Sequence, residues 1–314
     1  MIISASYRTD IPAFYGDWFL GRVAEGRCRT VNPYNGRASE VRLDRDHVDA
    51  IVFWTRNAAP FLAGLERLAA AGYPFAVHYT LTGYPRPLER SVASVEASIE
   101  TMRRIARRFG PRALVWRYDP VMLTSLTPAD WHRETFARLA QNLADCTDEV
   151  VLSFVQVYAK TRANTDRAAE RFGFTWRDPA REEKQALLQD LGEIAGDAGL
   201  AASLCAQPEL LGPGLGEARC IDAARLSDLA GRPVAAETKG NRPGCRCARA
   251  QDIGAYDTCP HGCVYCYAVR RPEIAKRRYQ AHEPASAFLA PPGGSQAVKR
   301  NDKVEVKESR QVQA

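Results

Sequence analysis

The strongest constraint on the fold is an alternation of short apolar runs and helical patterns, repeated six times over the first 206 residues. Most of these runs are rich in β-branched and aromatic residues, and they lack the polar alternation of a half-exposed strand. This pattern is typical of parallel strands that are buried on both faces. The predicted strands span residues 2–6, 50–55, 75–81, 113–118, 150–156 and 201–206.

Between these runs, residues 61–71, 88–109 and 182–198 carry apolar side chains at helical spacing, and a capped helix start is predicted at residues 127–130. The α/β alternation predicts a parallel β/α barrel, full or partial and TIM-like, over residues 1–206. An open sheet has the same periodicity. We favour the barrel because polar residues end most of the strands, and a barrel gathers strand ends at one mouth.

An insertion is predicted after the first helix. Residues 30–43, with Asn35-Gly36 at their centre, resemble a β-hairpin that would cover the mouth. Residues 207–290 are rich in cysteine, glycine and proline and are predicted to form a metal-binding segment packed on the barrel. Residues 291–314 are polar, and we expect a disordered tail.

Cysteine usage indicates metal binding. The 314-residue chain holds nine cysteines, its start does not resemble a signal peptide, and no apolar run is long enough to cross a membrane. We therefore expect a cytoplasmic protein without membrane contact. Because cytoplasmic thiols stay reduced, metal ligation explains the cysteines better than disulfides do.

The central motif is Cys259-x3-Cys263-x2-Cys266. Three thiolates can bind three irons of a 4Fe-4S cluster and leave the fourth iron open to a ligand. The alternative is a structural zinc ion completed by His261 or by another cysteine.

A second set of cysteines, Cys205, Cys220, Cys245 and Cys247, could close a cluster or a tetrahedral zinc site. Their spacing does not decide whether they converge, so either one cluster or two remains open.

Charged residues at the strand ends form a candidate site. Three arginines at one mouth suit a carboxylate or phosphate, which a guanidinium group can bind with two hydrogen bonds. The alternative for the charged residues is that they form structural ion pairs, and the alternative for His78 is that it is an ordinary core residue. We predict catalytic roles for Arg56, His78, Arg117 and Asp119, and cofactor binding by Arg8 and Asp10.

The cysteine motif, with the aromatic Tyr265 before its last cysteine, resembles that of radical S-adenosylmethionine enzymes, which are also built on full or partial β/α barrels. The resemblance implies that Tyr265 lies at the cofactor and that S-adenosylmethionine binds the open iron. It further implies radical chemistry on a small or nucleotide-like substrate, with ferredoxin or flavodoxin as electron donor. In most of these enzymes the motif follows the first strand, whereas here it follows the sixth predicted strand.

Five further stretches are distinctive: residues 4–12, 53–57, 78–84, 116–120 and 252–268. In these stretches, and over nearly its whole length, the chain resembles domain-of-unknown-function family 1848. This resemblance implies a C-terminal cysteine cluster like that of the radical enzymes and supplies no reaction.

The charge distribution supports a second hypothesis. Residues 239–280 hold nine Lys or Arg against three acidic residues, which gives that segment a net charge of +6. Such a segment could balance a thiolate-ligated cluster, or it could bind a polyanion. The alternative function is therefore a metal-stapled module, with iron-sulfur or zinc, that binds nucleic acid or a protein partner without catalysis.

Overall fold

The computed structural model describes residues 1–292, so all but the first two residues of the predicted tail 291–314 lie outside the described residues. The strands are β1 Ile2–Ala5, β2 Arg27–Val31, β3 Ala38–Arg42, β4 Ala50–Thr55, β5 Phe75–Thr80, β6 Leu114–Val121, β7 Glu149–Phe154, β8 Ala201–Leu204, β9 Gly216–Glu217 and β10 Ala250–Asp252. The α-helices are α1 Ile11–Phe14, α2 Gly16–Ala24, α3 Leu62–Ala70, α4 Val95–Phe109, α5 Ala129–Leu143, α6 Ala159–Phe172, α7 Arg181–Asp197, α8 Ala223–Ala230 and α9 Pro272–Gln280, and 3-10 helices span Ala59–Phe61, Pro111–Ala113 and Pro208–Leu210.

Eight strands form one sheet in the order β10-β1-β4-β5-β6-β7-β8-β9, and every neighbouring pair is parallel. The predicted α/β class with a large parallel sheet is confirmed. Each of the six predicted apolar runs contains one strand of this sheet.

The remaining two strands come from the cysteine-rich segment 207–290. β9 extends the sheet beyond β8, and β10 pairs with the free side of β1, with Ile2 opposite Ala250. These strands are two and three residues long, too short to produce a recognisable period. The cysteine-rich segment therefore contributes to the sheet as well as covering it.

The two faces of the sheet pack differently. One face, with Phe53, Trp116 and Leu152 among its buried residues, packs on helices that include α3, α4, α5 and α7. The opposite face carries smaller side chains such as Val52 and Val115, and packs on α8 and the cysteine-rich segment. Burial on both faces explains the continuous apolar runs in the sequence.

Helix α4 begins at Val95, seven residues after the start of the predicted helix. Ser94 caps it, since its side-chain oxygen accepts a hydrogen bond from the Ala97 N–H at 3.2 Å. The preceding residues, from Leu88 to Ser91, instead hydrogen-bond to the cysteine loop. This part of the predicted helix 88–109 is corrected to a turn and loop, in which the Leu88 and Glu89 N–H groups both donate to the Pro85 carbonyl.

The hairpin β2–β3 occupies the segment predicted for an insertion. Its antiparallel strands pair from Arg27 with Arg42 to Val31 with Ala38, and Asn35-Gly36 lies in the connecting turn. Tyr34, in that turn, lies against the cavity described below.

We expect the protein to lose stability in acid because His132 is buried. Its Nδ1 lies 2.8 Å from the Tyr118 hydroxyl and its Nε2 lies 3.1 Å from the Met122 carbonyl oxygen, as a neutral ring requires. Burial lowers the pKa of His132 from 6.5 to about 4. Because the unfolded chain binds this proton first, the free energy of unfolding should fall by about 3 kcal/mol as pH drops from 6.5 to about 4.

The measurement is urea unfolding of the wild type and of His132→Gln across this pH range. A glutamine cannot take up the proton, so the stability difference between the two proteins should shrink as pH falls. A difference that stays constant from neutral pH to about pH 4 would contradict the assignment.

Candidate metal centre and cavity

A cavity of about 660 Å³ lies at the carboxyl ends of the strands. Strand-end residues line it together with all three cysteines of the C-x3-C-x2-C motif and all four of the second set. Its lining includes Arg8, Asp10, Trp54, Arg56, Arg117, Asp119, Ser153, Gln156, Tyr158, Cys205, Cys220, Arg242, Cys245, Cys247, Cys259, Cys263, Tyr265 and Cys266. Thus all the predicted site residues except His78 border one space.

The loop that carries the first cysteine set is fixed by the turn that precedes α4. Val264 N–H donates to the Leu88 carbonyl at 3.1 Å, and Ser91 N–H donates to the His261 carbonyl at 2.9 Å. Gly262 has a φ of +74°, a conformation that favours glycine, and it allows the tight turn between Cys259 and Cys263. The loop is therefore ordered by backbone contacts that do not involve the thiols.

The three thiols are half-buried and face the cavity. Backbone groups of the same loop act to lower the pKa of two of these thiols: His261 at Cys259, and Ala268 and Val269 at Cys266. Burial raises the pKa of all three thiols, to about 12 for Cys263, although the charge of Arg56 opposes the rise there. Metal binding at this loop must therefore displace protons.

A buried acid that the sequence interpretation missed, Glu89, organises the surroundings of Cys263. Its Oε1 accepts hydrogen bonds from Thr82 Oγ1 at 2.7 Å and from the Tyr265 hydroxyl, and it lies 2.7 Å from Arg56 Nη1. Arg56 also donates to the Tyr265 hydroxyl. Burial opposes the charge of Arg56, but Glu89 and Tyr265 outweigh it, and the pKa of Arg56 rises above its ordinary value.

Asp10 connects the first strand to the cysteine loop. Its carboxylate accepts from Thr55 Oγ1 and from the Arg56 N–H, both at 2.7 Å, and from the Ala13 N–H that begins α1. Asp10 Oδ2 also lies 2.7 Å from His261 Nε2, while His261 Nδ1 faces the Ser91 carbonyl at 3.2 Å. Both ring nitrogens of His261 are therefore engaged, which disfavours its predicted alternative role as a zinc ligand.

Arg8 pairs with a second acid that the sequence interpretation missed. Asp252, at the end of β10, accepts from Arg8 Nη2 at 2.8 Å and from Arg8 Nε at 3.0 Å. The same carboxylate accepts from Ser4 and Ser6 hydroxyls at 2.9 Å. Asp252 thus joins the ends of β1 and β10 beneath the cavity.

Arg117 and Asp119 form an ion pair, and Ser153 donates to the other oxygen of Asp119. Arg117 Nη1 also donates to Cys220 Sγ at 2.9 Å, and its guanidinium lies 5.1 Å from the centre of the Trp54 ring. The predicted catalytic pair therefore lies beside the second cysteine set.

His78 lies below the cavity floor. Its ring stacks on Trp54, with centroids 4.6 Å apart, and only 2% of its surface is exposed. Burial, followed by the charges of Arg117 and Arg225, holds the pKa of His78 well below its usual value. Its catalytic role stays a prediction, with Trp54 between the ring and the cavity.

The second cysteine set is brought together. Cys220 Sγ lies 3.6 Å from Cys205 Sγ, and Cys247 Sγ lies 3.4 Å from the backbone nitrogen of Ile221, the residue after Cys220. The nearby side chain of Cys247, followed by the backbone of Cys247, lowers the pKa of Cys245 to about 6 although burial opposes this. Within residues 1–292, however, no three His, Cys, Asp or Glu side chains converge as the ligands of one ion would.

A family model, described as a domain of unknown function (DUF1848), matches residues 2–268. The chain belongs to the DUF1848 family. The match spans the eight-stranded sheet and all seven cysteines from Cys205 to Cys266, and it ends before α9. Comparison of the chain with curated proteins and with solved structures gave no match.

Two further observations bear on partners of this DUF1848 member. No helix within the described residues is long and apolar enough to cross a membrane.

Five of the nine basic residues in the segment 239–280 contact other groups of the same chain. These pairs are Arg242 with Gln156, Arg246 with Glu217, Arg249 with Glu237, Arg270 with Asp257, and Arg278 with the Tyr256 carbonyl.

Proposed function

We propose that the protein is a radical S-adenosylmethionine-like iron-sulfur enzyme, with a 4Fe-4S cluster held by Cys259, Cys263 and Cys266. The supporting observation is the position of the cysteine loop in space. The loop follows β10, an end strand in the sheet order that pairs with β1. The motif follows the sixth predicted strand in sequence, but in space it follows a strand that lies directly beside the first strand, β1.

The donor set fits a cluster with one open iron. Three thiols face a cavity from one loop, whose backbone is held by hydrogen bonds to Leu88 and Ser91. Backbone groups of this loop act to lower the pKa of Cys259 and Cys266, which favours the thiolate form that a cluster binds. When bound, such a cluster would supply one electron for cleavage of S-adenosylmethionine. The chain's own residues would bind, orient and shield the reactants.

The cavity has a suitable size and lining for a cofactor and a small substrate. Its volume of about 660 Å³ lies within the range of small-molecule sites, about 300–1,000 Å³. Tyr7, Tyr158, Tyr256 and Tyr267 border it together with Trp54, and aromatic rings can stack on an adenine or a nucleobase. Arg8, Arg56 and Arg117 would orient anionic groups there, as predicted from the strand ends.

We also propose that the sheet closes as a barrel. β9 and β10 lie at its two ends, and the chain after β9 meets the chain before β10 where the Ala248 N–H donates to the Ile221 carbonyl at 2.8 Å. A closed or nearly closed sheet would gather all strand ends around the cluster. We expect ferredoxin or flavodoxin as electron donor, and the cytoplasm as location.

Anaerobic reconstitution tests the cluster. We expect wild-type protein to bind iron and sulfide in the amounts of at least one 4Fe-4S cluster, and the variant with Cys259, Cys263 and Cys266 changed to alanine to bind about four fewer irons per chain. Cys146→Ala is the matched control, because Cys146 is buried far along the chain from the motif and should leave the iron content unchanged.

The reaction is tested by adding S-adenosylmethionine and a reductant to the reconstituted protein. The expected results are a change in the electron paramagnetic resonance signal of the cluster and formation of 5'-deoxyadenosine, both lost in the triple variant. A cluster that neither responds to S-adenosylmethionine nor yields 5'-deoxyadenosine would refute the radical assignment. Protein that takes up zinc but no iron without oxygen would refute the cluster.

The alternative is the non-catalytic nucleic-acid module, with the basic segment 239–280 as its contact surface. Five of the nine basic residues of this segment pair with other groups of the protein, and Arg246 and Arg249 do so while more than half exposed. Binding that reflects counterion release would weaken steeply with salt. Binding of RNA or DNA at low salt, lost at high salt and retained in the triple variant, would favour that alternative.

A further inference from the structure

The second cysteine set lies where the two ends of the sheet approach each other. Cys205 follows β8 directly, Cys220 comes three residues after β9, and Cys245 and Cys247 precede β10. β9 and β10 are the two end strands of the sheet order. A group bound by these four side chains would therefore join both ends of the sheet.

Two of the sulfurs are spaced for a shared ligand. The 3.6 Å between Cys205 Sγ and Cys220 Sγ is close to the sulfur separation of about 3.8 Å that a tetrahedral site with Zn–S bonds of about 2.3 Å requires. Cys247 Sγ lies 3.4 Å from the backbone nitrogen of Ile221, the residue after Cys220, and all four cysteines line the same cavity. Since no three ligand side chains of the described residues converge in this structure, side-chain rotation would have to close the site.

Three of the four sulfurs also accept a hydrogen bond from an N–H group. Arg242 Nη2 lies 3.4 Å from Cys205 Sγ, Arg117 Nη1 lies 2.9 Å from Cys220 Sγ, and the Ile221 nitrogen lies 3.4 Å from Cys247 Sγ. A thiol is a weak acceptor, whereas a metal-bound thiolate is regularly supported by such donors.

Charge supports the same conclusion. A divalent ion, or an oxidised 4Fe-4S cluster, with four thiolates carries a net charge of about −2. Arg117 and Arg242 place two positive charges on the sulfurs, with Asp119 pairing to Arg117. Arg117 is buried and Arg242 half-buried, so thiolates beside them would add negative charge to that of Asp119, and paired charges are the ones a protein interior tolerates.

We propose that Cys205, Cys220, Cys245 and Cys247 form a second metal centre, closed by four thiolates, that ties the two ends of the sheet together. The four thiolates would be the ligands in either case, whether the bound group is a zinc ion or a second iron-sulfur cluster. Because all its ligands are protein sulfurs, it has no open position for a substrate. The proposal does not depend on radical chemistry or on the first cluster.

The experiment removes the first set and asks what metal remains. The full chain with Cys259, Cys263 and Cys266 changed to alanine is purified without oxygen, and its zinc, iron and sulfide are quantified. We expect about one zinc, or about four iron and four sulfide, per chain. Adding Cys245→Ala and Cys247→Ala to the triple variant should abolish the binding of that metal. Adding Cys28→Ala instead, at a buried cysteine outside both sets, should leave the metal content unchanged.

X-ray absorption on the triple variant keeps the proposal falsifiable if the five-alanine variant does not fold. Sulfur-only ligation at about 2.3 Å supports it. A melting temperature that drops on metal removal, in the triple variant, would show that the centre joins the sheet ends.

Several results would overturn the proposal. The centre would be excluded if the triple variant folds, contains no metal, and has all its remaining thiols open to a thiol reagent. Nitrogen or oxygen ligands in the absorption spectrum would also exclude it. Mass spectrometry that finds a Cys205–Cys220 disulfide in anaerobically purified protein would assign the close sulfurs to redox chemistry instead.

Discussion

Asp252→Ala should destabilise the protein by about 3–5 kcal/mol, because it leaves the buried Arg8 guanidinium without its counter-charge. Only 9% of the Arg8 side chain and 7% of Asp252 are exposed. The carboxylate also accepts from the Tyr7 N–H at 3.2 Å and from the Gly254 N–H at 3.0 Å. Its removal therefore orphans donors from both β1 and the chain that leads into the cysteine loop.

Urea unfolding of wild-type and variant protein measures this loss. Asp130→Ala is the matched control, since Asp130 also pairs with an arginine but is 86% exposed, and exposed pairs contribute little. Asp252→Asn, which keeps the shape without the charge, should fall between wild type and Asp252→Ala. Equal stability of Asp252→Ala and Asp130→Ala would show that the pair carries no structural weight.

Glu89→Ala should have a similarly large effect, about 3–5 kcal/mol, because Arg56 would remain buried and unpaired beside Cys263. Glu89 is 2% exposed and Arg56 is 12% exposed. The double variant Glu89→Leu with Arg56→Met should recover most of the loss, since apolar residues of similar size often replace a buried ion pair at little cost.

Urea unfolding gives the free energy of unfolding of the single and double variants, and their comparison isolates the interaction energy between Glu89 and Arg56. Glu100→Ala, which removes an exposed partner of Arg107, serves as the control. If Arg56 also orients anionic ligands as predicted, the double variant should be stable yet fail to produce 5'-deoxyadenosine. A double variant that is stable and fully active would restrict Arg56 to a structural role.

Six strands of the sheet were predictable because burial on both faces requires a continuous apolar run in the sequence of each. The strand β10 was not, since three residues have no measurable period, and its pairing with β1 is set by contacts such as Asp252 with Ser4 and Ser6. The start of α4 was misplaced because Leu88 and Glu89 fit a helical pattern while their backbone pairs with the cysteine loop.

The site was predictable in its residue types more than in its pairings. Arg117 and Asp119 lie near each other in sequence and form an ion pair, but Arg8 pairs with Asp252 and Arg56 with Glu89. Partners that are distant along the chain leave no local signal. An isolated acid such as Glu89 indicates a buried role only once the chain path brings Arg56 beside it.

The place of β10 in the sheet also sets an order of events during synthesis. β1 can pair with β4 soon after both are made, but its other edge waits for β10, about 245 residues later. At the usual translation rate of about 5–20 residues per second, that edge stays open for about 10–50 s. An open strand edge invites pairing with other chains, so the nascent protein should depend on chaperones until the cysteine-rich segment emerges.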